Sequence, residues 1–383
     1  MRMTGPGPLT SVRILELAAL GPGPFAVGLL ADCGADVIRI DRLDDVGPTK
    51  EREPIAPMRG RRSIAIDLKS TDGVGIVLDL VRRVDALVEG YRPGVAERLG
   101  IGPEVCQHLN PHLVYGRGTG WGQHGPLAPA AGHDLNYLAL SGALHTFGPG
   151  EGLPSWPLNL LGDYAAGGML FAFGLLAALI EVRNGGSGQI VDAAMVDGLS
   201  LLMTRIHDRR AIGAWDDRRG FNLEDGGAPF YNVYETADSK YLAVGAVEAK
   251  FYSALIQCLD LDPESLPAQH DRNAWPTQKA LFAERFASRP QAEWVRIASG
   301  TDACITPVLP LGEVAQHPHH IERESFFEVG SVLIPRPAPR FSNYPNEQLR
   351  PPSDPGDSTD VILQELGYAR VKIEKLHGER VVA

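Results

Sequence analysis

The first 120 residues alternate between short apolar runs and segments rich in glycine, proline and charged residues. Apolar runs of four to six residues are typical of strands, and longer periodic runs between them are typical of helices. Strands separated by single helices pair in parallel, so this region predicts an α/β fold with a doubly wound, Rossmann-like parallel sheet. The predicted elements are strands at 12–17, 36–40, 63–68, 86–89 and 113–116, and helices at 25–33 and 73–84.

The middle of the chain changes to a glycine-rich segment over 115–137, followed by a helix that begins near Asp163. Long irregular segments in compact domains are often functional. The apolar stretch 167–180 is shorter than the roughly 20 residues needed to span a bilayer, which favours a buried core helix. The Asn184-Gly185 pair predicts a turn before a further strand at 189–193.

The hydrophobic pattern changes near residue 231 and predicts a second, smaller α+β domain. Two strand-like runs, 231–236 and 241–247, indicate a β-hairpin that is followed by a helix over 249–259. The last predicted helix spans 359–366, after a proline-rich connection. We therefore expect a large domain over 1–195 that is completed by 335–383, a linker over 196–230, a small domain over 231–320, and a return linker with the C-terminal helix over 321–383.

Composition narrows the classes of partner and compartment. Acidic residues outnumber Lys and Arg by 47 to 36, giving a formal charge of −11, so neither nucleic acid nor an anionic membrane is an expected partner. Four scattered cysteines without CxxC spacing favour free thiols in a reducing compartment. The first residues form no apolar leader, and a cytoplasmic protein is expected.

One segment matches a nucleotide-binding fingerprint. Residues 21–26 read Gly-Pro-Gly-Pro-Phe-Ala after a strand, and Asp41 ends the next strand. The two prolines remove N–H groups that a pyrophosphate would need, so a plain tight turn is an equal alternative. Arg42 favours an adenosine phosphate, as in CoA or NADP. Arg61, Arg62 and Arg92 could add to such a site, or could be solvated side chains.

Three residues are candidates for acid–base chemistry. His133 ends the glycine-rich segment, and imidazole titrates near neutrality. Asp163 and Glu248 each precede a predicted helix, where a carboxylate either stabilises the helix start or serves a reaction. Local structural roles are open alternatives for all three. The cluster 317–320 has three histidines, but its spacing fits no metal-ligand pattern, and no metal site is predicted.

Several longer motifs make a family resemblance visible. They include Ala131-Gly132-His133-Asp134-Leu135-Asn136-Tyr137, Pro157-Leu158-Asn159-Leu160 with Asp163, Asp225-Gly226-Gly227-Ala228-Pro229, and Thr301-Asp302-Ala303-Cys304-Ile305-Thr306-Pro307. Over residues 9–367 the chain resembles the alpha-methylacyl-CoA racemases of the family III CoA-transferase superfamily. The resemblance implies an isomerase of lipid metabolism that inverts the 2-methyl centre of 2-methylacyl-CoA thioesters by moving one proton through an enolate.

The resemblance also implies specific residues and partners. His133 and Asp163 correspond to the acid–base pair, and Glu248 to a supporting glutamate. The implied substrate and CoA contacts are Arg42, Ile66, Asp67, Leu68, Lys69, Arg92, Gly132, Asp134, Leu135, Asn136 and Tyr137. The implied assembly is an interlocked homodimer in which Glu248 completes the partner's site. No metal and no cofactor are implied, since CoA is part of the substrate.

Three other functions stay open at this point. A family III CoA-transferase would use Asp163 as a nucleophile on the thioester, and it would not need His133 as a second base. A nicotinamide-dependent dehydrogenase is supported only by the nucleotide fingerprint. A non-catalytic acyl-CoA carrier would bind the thioester without exchanging its proton. The motifs leave the acyl chain open among a branched fatty acid, a sterol side chain and a smaller acid.

Overall fold

The computed structural model describes residues 7–47, 59–329, 332–344 and 352–383. Its strands are β1 Arg13–Leu17, β2 Asp36–Asp41, β3 Arg61–Ala65, β4 Ala86–Glu89, β5 Val114–Thr119, β6 Ile190–Ala194, β7 Tyr231–Glu235, β8 Tyr241–Gly245, β9 Ile305–Pro307, β10 Phe326–Val329 and β11 Val332–Pro335. Its α-helices are α1 Pro22–Asp32, α2 Thr71–Val81, α3 Val95–Arg98, α4 Pro103–Leu109, α5 Asp134–Leu140, α6 Ala143–Thr146, α7 Leu170–Arg183, α8 Met195–Leu202, α9 Thr204–Ala211, α10 Ala249–Cys258, α11 Trp275–Phe286, α12 Gln291–Ala298, α13 Leu311–Val314, α14 Pro318–Glu322, α15 Thr359–Leu366 and α16 Arg370–Gly378. A π-helix, Leu160–Met169, runs directly into α7, and short 3₁₀ turns occur at Leu43–Asp45 and Pro263–Ser265.

The chain divides into two compact units. The first comprises residues 1–141, 157–202 and 326–383, and the second comprises 142–156 and 203–325. These boundaries differ from the expected linker at 196–230, because that stretch holds most of α8 and all of α9. Met195, Gly198 and Leu199 are buried on one face of α8, which fixes that helix to the first unit.

The first unit is built on a six-stranded, fully parallel sheet with the order β3-β2-β1-β4-β5-β6. This is the strand order of doubly wound nucleotide-binding folds, in which ligands bind beyond the carboxyl ends of the strands. Side chains alternate between its faces, so that Leu15 and Ile38 pack on one face while Ile14 and Val37 pack on the other. The predicted α/β architecture is therefore confirmed.

The carboxyl terminus of the chain returns to this sheet. The hydroxyl of Thr359 donates to the Ala383 carbonyl and accepts from the Ala65 amide. The Asp67 amide donates to the Val381 carbonyl at 2.9 Å. Helix α15 has the predicted bounds, and the additional helix α16 follows Gly367, which adopts the left-handed conformation at the end of α15. These contacts fix the chain just after β3.

The π-helix and α7 form one continuous helix of 24 residues, Leu160–Arg183, which is long and apolar enough to cross a membrane by length and composition alone. The predicted apolar stretch was shorter because it began at Gly167. One face of α7 packs on the sheet through Phe171, Leu175 and Leu179. The opposite side leaves Met169, Phe173 and Ile180 exposed, so the expected burial holds for one face only.

The second unit contains a three-stranded antiparallel sheet with the order β7-β8-β9. Strands β7 and β8 form the predicted hairpin, which ends two residues earlier on the second strand than the sequence pattern indicated. Its core is rich in aromatic rings, with Phe230, Tyr234, Phe282, Phe286 and Trp294 all buried. This unit has the α+β composition that the sequence predicted.

Candidate active site

A cleft of about 330 Å³ opens in the first unit beyond the carboxyl ends of β1, β4 and β5. Strand order reverses between β1 and β4, and such a switch point is where open α/β sheets bind ligands. The cleft is lined by Leu20, Gly21, Pro22, Gly90, Tyr91, Arg92, Pro93, Gly118, Thr119, Gly120, Trp121, Ala128, Ala130, Ala131, Gly132, His133, Tyr137, Asp163 and Met195. The structure thus brings five of the sequence-predicted residues to one cleft: Arg92, Gly132, His133, Tyr137 and Asp163.

His133 is fixed by the start of helix α5, where it is the N-cap residue. Its backbone amide donates to Asn136 Oδ1 at 3.0 Å, and its carbonyl accepts from the Asn136 amide at 2.8 Å. The imidazole is exposed at the edge of the cleft. An accessible imidazole on a fixed backbone is suited to proton transfer with a bound substrate.

Asp163 lies in the first turn of the π-helix and is partly buried. Asn159 Nδ2 donates to Asp163 Oδ2 at 3.0 Å, and the Asp163 amide donates to Asp134 Oδ1 at 2.8 Å. A Cβ placed on Gly21 would lie 3.8 Å from Asp163 Oδ1, so the turn after β1 passes close to this carboxylate. Because the Asp163 amide is already donated, an enolate oxygen would need a different hydrogen-bond donor.

Tyr137 forms the floor of the cleft beside both acid–base candidates. Its ring packs edge-on against the Trp121 ring, with 4.7 Å between the ring centroids. The backbone of Gly120 and of Gly132 passes directly against the Tyr137 ring. Burial raises the pKa of Tyr137, the negative charge of Asp163 raises it further, and Arg92 opposes both. The phenol therefore stays protonated at neutral pH. The charges of Arg92 and Asp163 both act on the Tyr137 hydroxyl, in opposite directions.

Eight of the eleven predicted CoA contacts lie outside the lining of the cleft, and two of these eight are buried. Arg42 and Lys69 are exposed, and the Arg42 charge lowers the pKa of Tyr91 against the larger effect of burial, which raises it. Ile66 is 2% exposed, its amide donates to the Asp41 carbonyl at 3.0 Å, and it forms a β-bridge with Val382, so neither its side chain nor its amide is open to a ligand. The others are Asp67, Leu68, Leu135 and Asn136, which are partly or fully exposed, and Asp134, which is buried.

The cations at the start of β3 do not gather around a ligand. Arg61 is buried in an ion pair with Glu16 and also donates to the Pro24 carbonyl. Arg62 is paired with Asp36 at 3.2 Å and with Glu365 at 2.9 Å. They lie at the amino end of a parallel strand, opposite the cleft, so the suggestion that they hold a polyanion is wrong.

The nucleotide fingerprint also takes a different form from that of a dinucleotide site. The segment does join β1 to α1, and Gly21 has the positive φ of 78° that this turn requires. However, Asp41 is buried and accepts hydrogen bonds from Arg39 Nε at 2.8 Å and from Ser63 Oγ at 2.6 Å. A ribose would find that carboxylate occupied. The turn instead forms one wall of the cleft beside Asp163.

Glu248 belongs to the second unit, where it is exposed and is the N-cap residue of α10. Its carbonyl accepts from the Tyr252 amide at 2.9 Å, and its side chain makes no capping bond. The predicted position at a helix start is therefore confirmed. The Glu248 carboxylate accepts no hydrogen bond from the first amides of α10.

The histidine cluster is explained by local structure. His317 caps α14, with Nδ1 accepting from the His319 amide at 3.3 Å. Within the described ranges, no group of three or more His, Cys, Asp or Glu side chains is arranged to hold a metal ion.

Sequence reasoning missed two residues that hold Asp163 in place. The motifs contain Asn159 without indicating a role for it, and the family resemblance implies Asp134 only as a CoA contact. The spacing of four residues between the Asn159 amide and the Asp163 carboxylate is a usable signal, since side chains so spaced across a helix start can meet. The contact with Asp134 spans 29 residues, and no local pattern indicates it.

Comparison with known proteins places this architecture in a family. Residues 9–358 match the model of CoA-transferase family III. The chain is 44% identical to mouse alpha-methylacyl-CoA racemase over 98% of this chain and 97% of that protein, and 43% identical to the human protein over the same shares. A crystal structure of a hypothetical protein from Mycobacterium tuberculosis superposes with a TM-score of 0.80 at 26% identity, covering 94% of this chain and 99% of that one.

Proposed function

Because the chain belongs to CoA-transferase family III, and shares 43–44% identity with proteins named alpha-methylacyl-CoA racemase, we propose that it is a racemase of 2-methylacyl-CoA thioesters. The observation that carries the proposal is the meeting of His133 and Asp163 in one cleft at the switch point of the sheet. An enzyme that inverts a carbon centre by proton transfer needs two acid–base groups, one for each face of that carbon.

In the proposed mechanism the α-proton leaves on one side and a proton returns on the other. For one enantiomer His133 removes the proton and Asp163 supplies the new one, and for the other enantiomer the roles exchange. The intermediate is an enolate whose oxygen requires a hydrogen-bond donor. Since the Asp163 amide is donated to Asp134, that donor must come from another group around the cleft. Inversion of this kind balances without a metal or redox cofactor.

The CoA portion is proposed to bind along the cationic side of the cleft. Arg92 lines the cleft, and Arg42 acts electrostatically on Tyr91 in the same wall. Lys69, which the family resemblance implies as a CoA contact, is exposed after β3. Exposed cations close to the carboxyl edge of a parallel sheet suit an adenosine phosphate and a pyrophosphate. We place the enzyme in cytoplasmic lipid metabolism, without nucleic-acid or membrane partners.

An interlocked homodimer is part of the same proposal. Met169, Phe173 and Ile180 expose large apolar side chains on the long helix, with Phe173 70% exposed. Leu201 and Leu202 add exposed apolar surface at the end of α8. Such surface favours association with a second copy. Glu248, exposed and without a capping bond, would then support His133 of the partner subunit. Sedimentation equilibrium tests the dimer, and a monomer at micromolar concentration contradicts it.

The decisive experiment incubates the protein with (2R)-2-methylacyl-CoA in deuterated water. Racemisation predicts deuterium at the α-carbon together with loss of optical purity. Asp163→Asn and His133→Ala should each reduce inversion by about 10² to 10⁴, the usual contribution of an acid or base. Unchanged inversion in either variant would contradict the two-base mechanism.

The competing function is a CoA-transferase, because the matching family is described as CoA-transferase family III. In that reaction Asp163 attacks the thioester carbonyl, forming an acyl anhydride and releasing the CoA thiolate, and the thiolate then attacks the Asp163 carbonyl to release the first acid and leave an aspartyl-CoA thioester. The second carboxylate attacks that thioester to form a new anhydride, and the released thiolate attacks its acyl carbonyl, which yields the new acyl-CoA and free Asp163. Adding a free carboxylic acid to the same incubation tests it. Acyl transfer that survives His133→Ala, without α-deuterium, would replace the racemase by the transferase. The presence of His133 in the cleft favours the racemase.

A further inference from the structure

The carboxylate of Asp134 is directed at the protein's own backbone. Asp134 is 6% exposed, and its Oδ1 accepts the Asp163 amide at 2.8 Å. The Gly162 amide adds a second, smaller stabilising contact. Its other oxygen, Oδ2, is buried and has no hydrogen-bond partner within the described part of the chain. A ligand in the cleft therefore does not meet this carboxylate.

The segment that receives this hydrogen bond is unusual. Asp163 sits on a π-helix of ten residues, whereas such helices occur mostly as single turns and often at functional sites. Because π-helical bonds run from each amide to the carbonyl five residues earlier, the first turn has several amides without a helical partner. Asp134 supplies an acceptor for one of them from a separate helix, α5. The bond thus fixes the backbone of Asp163 from outside its own helix.

The approach of the two segments is tight enough to restrict the sequence. A Cβ added to Gly162 would lie 2.3 Å from Asp134 Oδ1, far inside contact distance. The absence of a side chain at Gly162 is therefore what lets the carboxylate reach the amide. Burial also raises the pKa of Asp134, and the nearby charge of Asp163 adds to that shift while the backbone amides oppose it.

We propose that Asp134 is a positioning residue, which orients Asp163 for proton transfer by accepting its backbone amide, and is not a contact for CoA. This inference rests on the proposed racemase activity and assigns a role within the same site. It makes a directional prediction, because Asp134 supports only one of the two acid–base groups. His133 is held separately, by its reciprocal bonds with Asn136.

The test follows α-proton exchange from each pure enantiomer in deuterated water, in wild type, Asp134→Ala and Asp134→Asn. In Asp134→Ala, exchange from the enantiomer whose proton faces Asp163 should fall about 10- to 100-fold, as expected for a displaced catalytic group. The other enantiomer should still exchange with retention, through His133, within about threefold of wild type. KM should change little, since the carboxylate is buried away from substrate. Inversion should fall in both directions.

Two variants separate the hydrogen bond from other effects. Asp134→Asn keeps an acceptor at the Oδ1 position and should recover most of the inversion. Gly162→Ala forces the carboxylate aside and should show the same one-sided loss as Asp134→Ala. The matched control is Asp85→Ala, which removes a carboxylate that accepts the Arg13 amide at 2.7 Å, near the amino end of β1. It should leave the ratio between the two exchange rates unchanged.

A second measurement does not depend on activity. Amide hydrogen exchange of a peptide covering 160–169 should accelerate in Asp134→Ala and not in Asp85→Ala, because only the first removes an acceptor from that helix. Unchanged protection in Asp134→Ala, equal loss on both faces, or an Asn variant as impaired as the Ala variant would each overturn the proposal. If wild type exchanges no α-proton, the racemase assignment fails, and the hydrogen-exchange result alone then decides the role of Asp134.

Discussion

Asn159, the N-cap residue of the π-helix, donates its side-chain amide to the Oδ2 atom of Asp163 at 3.0 Å. The bond fixes one carboxylate oxygen while Oδ1 lies nearest the Gly21 turn. Together with the amide bond to Asp134, it holds both the backbone and the side chain of Asp163. The carboxylate is therefore oriented before any substrate binds, which is the arrangement that proton transfer requires.

Replacing Asn159 tests that orientation. Asn159→Ala should lower the inversion rate about tenfold, since a hydrogen bond to a charged group contributes roughly 1.5–3 kcal/mol and part of it is recovered by water. Asn159→Asp should be more damaging, because it sets a second carboxylate against Asp163. Both rates are measured as loss of optical purity at saturating thioester. Wild-type activity in Asn159→Asp would contradict the proposed contact.

Gly120 determines the position of the Tyr137 ring. A Cβ at Gly120 would lie 2.0 Å from the ring of Tyr137, so Gly120→Ala must displace that ring or the loop after β5. We expect the affinity for free CoA, measured by calorimetry, to fall about tenfold or more, since small displacements in a binding site have large effects. The control is Gly75→Ala in α2, where an added Cβ contacts nothing within 4 Å. That variant should bind CoA normally, and similar affinities for both variants would contradict the prediction.

The buried pair of Glu16 and Arg61 should dominate the local stability of the first unit. Both side chains are 1% exposed, so Arg61→Met leaves the Glu16 carboxylate buried without its partner. Removing one member of a buried pair costs about 3–5 kcal/mol in the free energy of unfolding. Arg82→Met, which breaks a half-exposed pair with Asp79, should cost less than about 1 kcal/mol. Urea unfolding measures both, and equal costs would contradict the role of burial.

Glu89 should give the unfolding free energy a specific pH dependence. Burial raises the pKa of Glu89 above its ordinary value, although the Tyr91 amide and Arg117 oppose the shift. A carboxyl group with a raised folded-state pKa binds more protons in the native state, so its stabilising contribution is present below the unfolded pKa and is lost as the pH rises through the folded pKa. Glu89→Gln should therefore gain stability relative to wild type as the pH rises from about 4. A constant difference across pH would contradict this assignment.

The amino-acid pattern was sufficient for much of the architecture. Strand β4 and helix α15 have the bounds that the pattern predicted, because short apolar runs between polar turns leave few alternatives. The hairpin of the second unit followed from two strand-like runs with a polar turn between them. The boundaries of the units were less well predicted, since α8 attaches to the first unit through three buried positions that form no strong local signal.

The fold class, the family resemblance and the candidacy of His133 and Asp163 can all be read from the amino-acid order alone. Which cations face the cleft cannot, because Arg61 and Arg92 look alike in sequence, whereas in the folded chain Arg61 is buried in an ion pair and Arg92 lines the site. The tertiary structure also decided the role of Asp134, whose partner is 29 residues away. Local patterns record which face of an element is buried, whereas contacts between distant segments depend on how the elements pack.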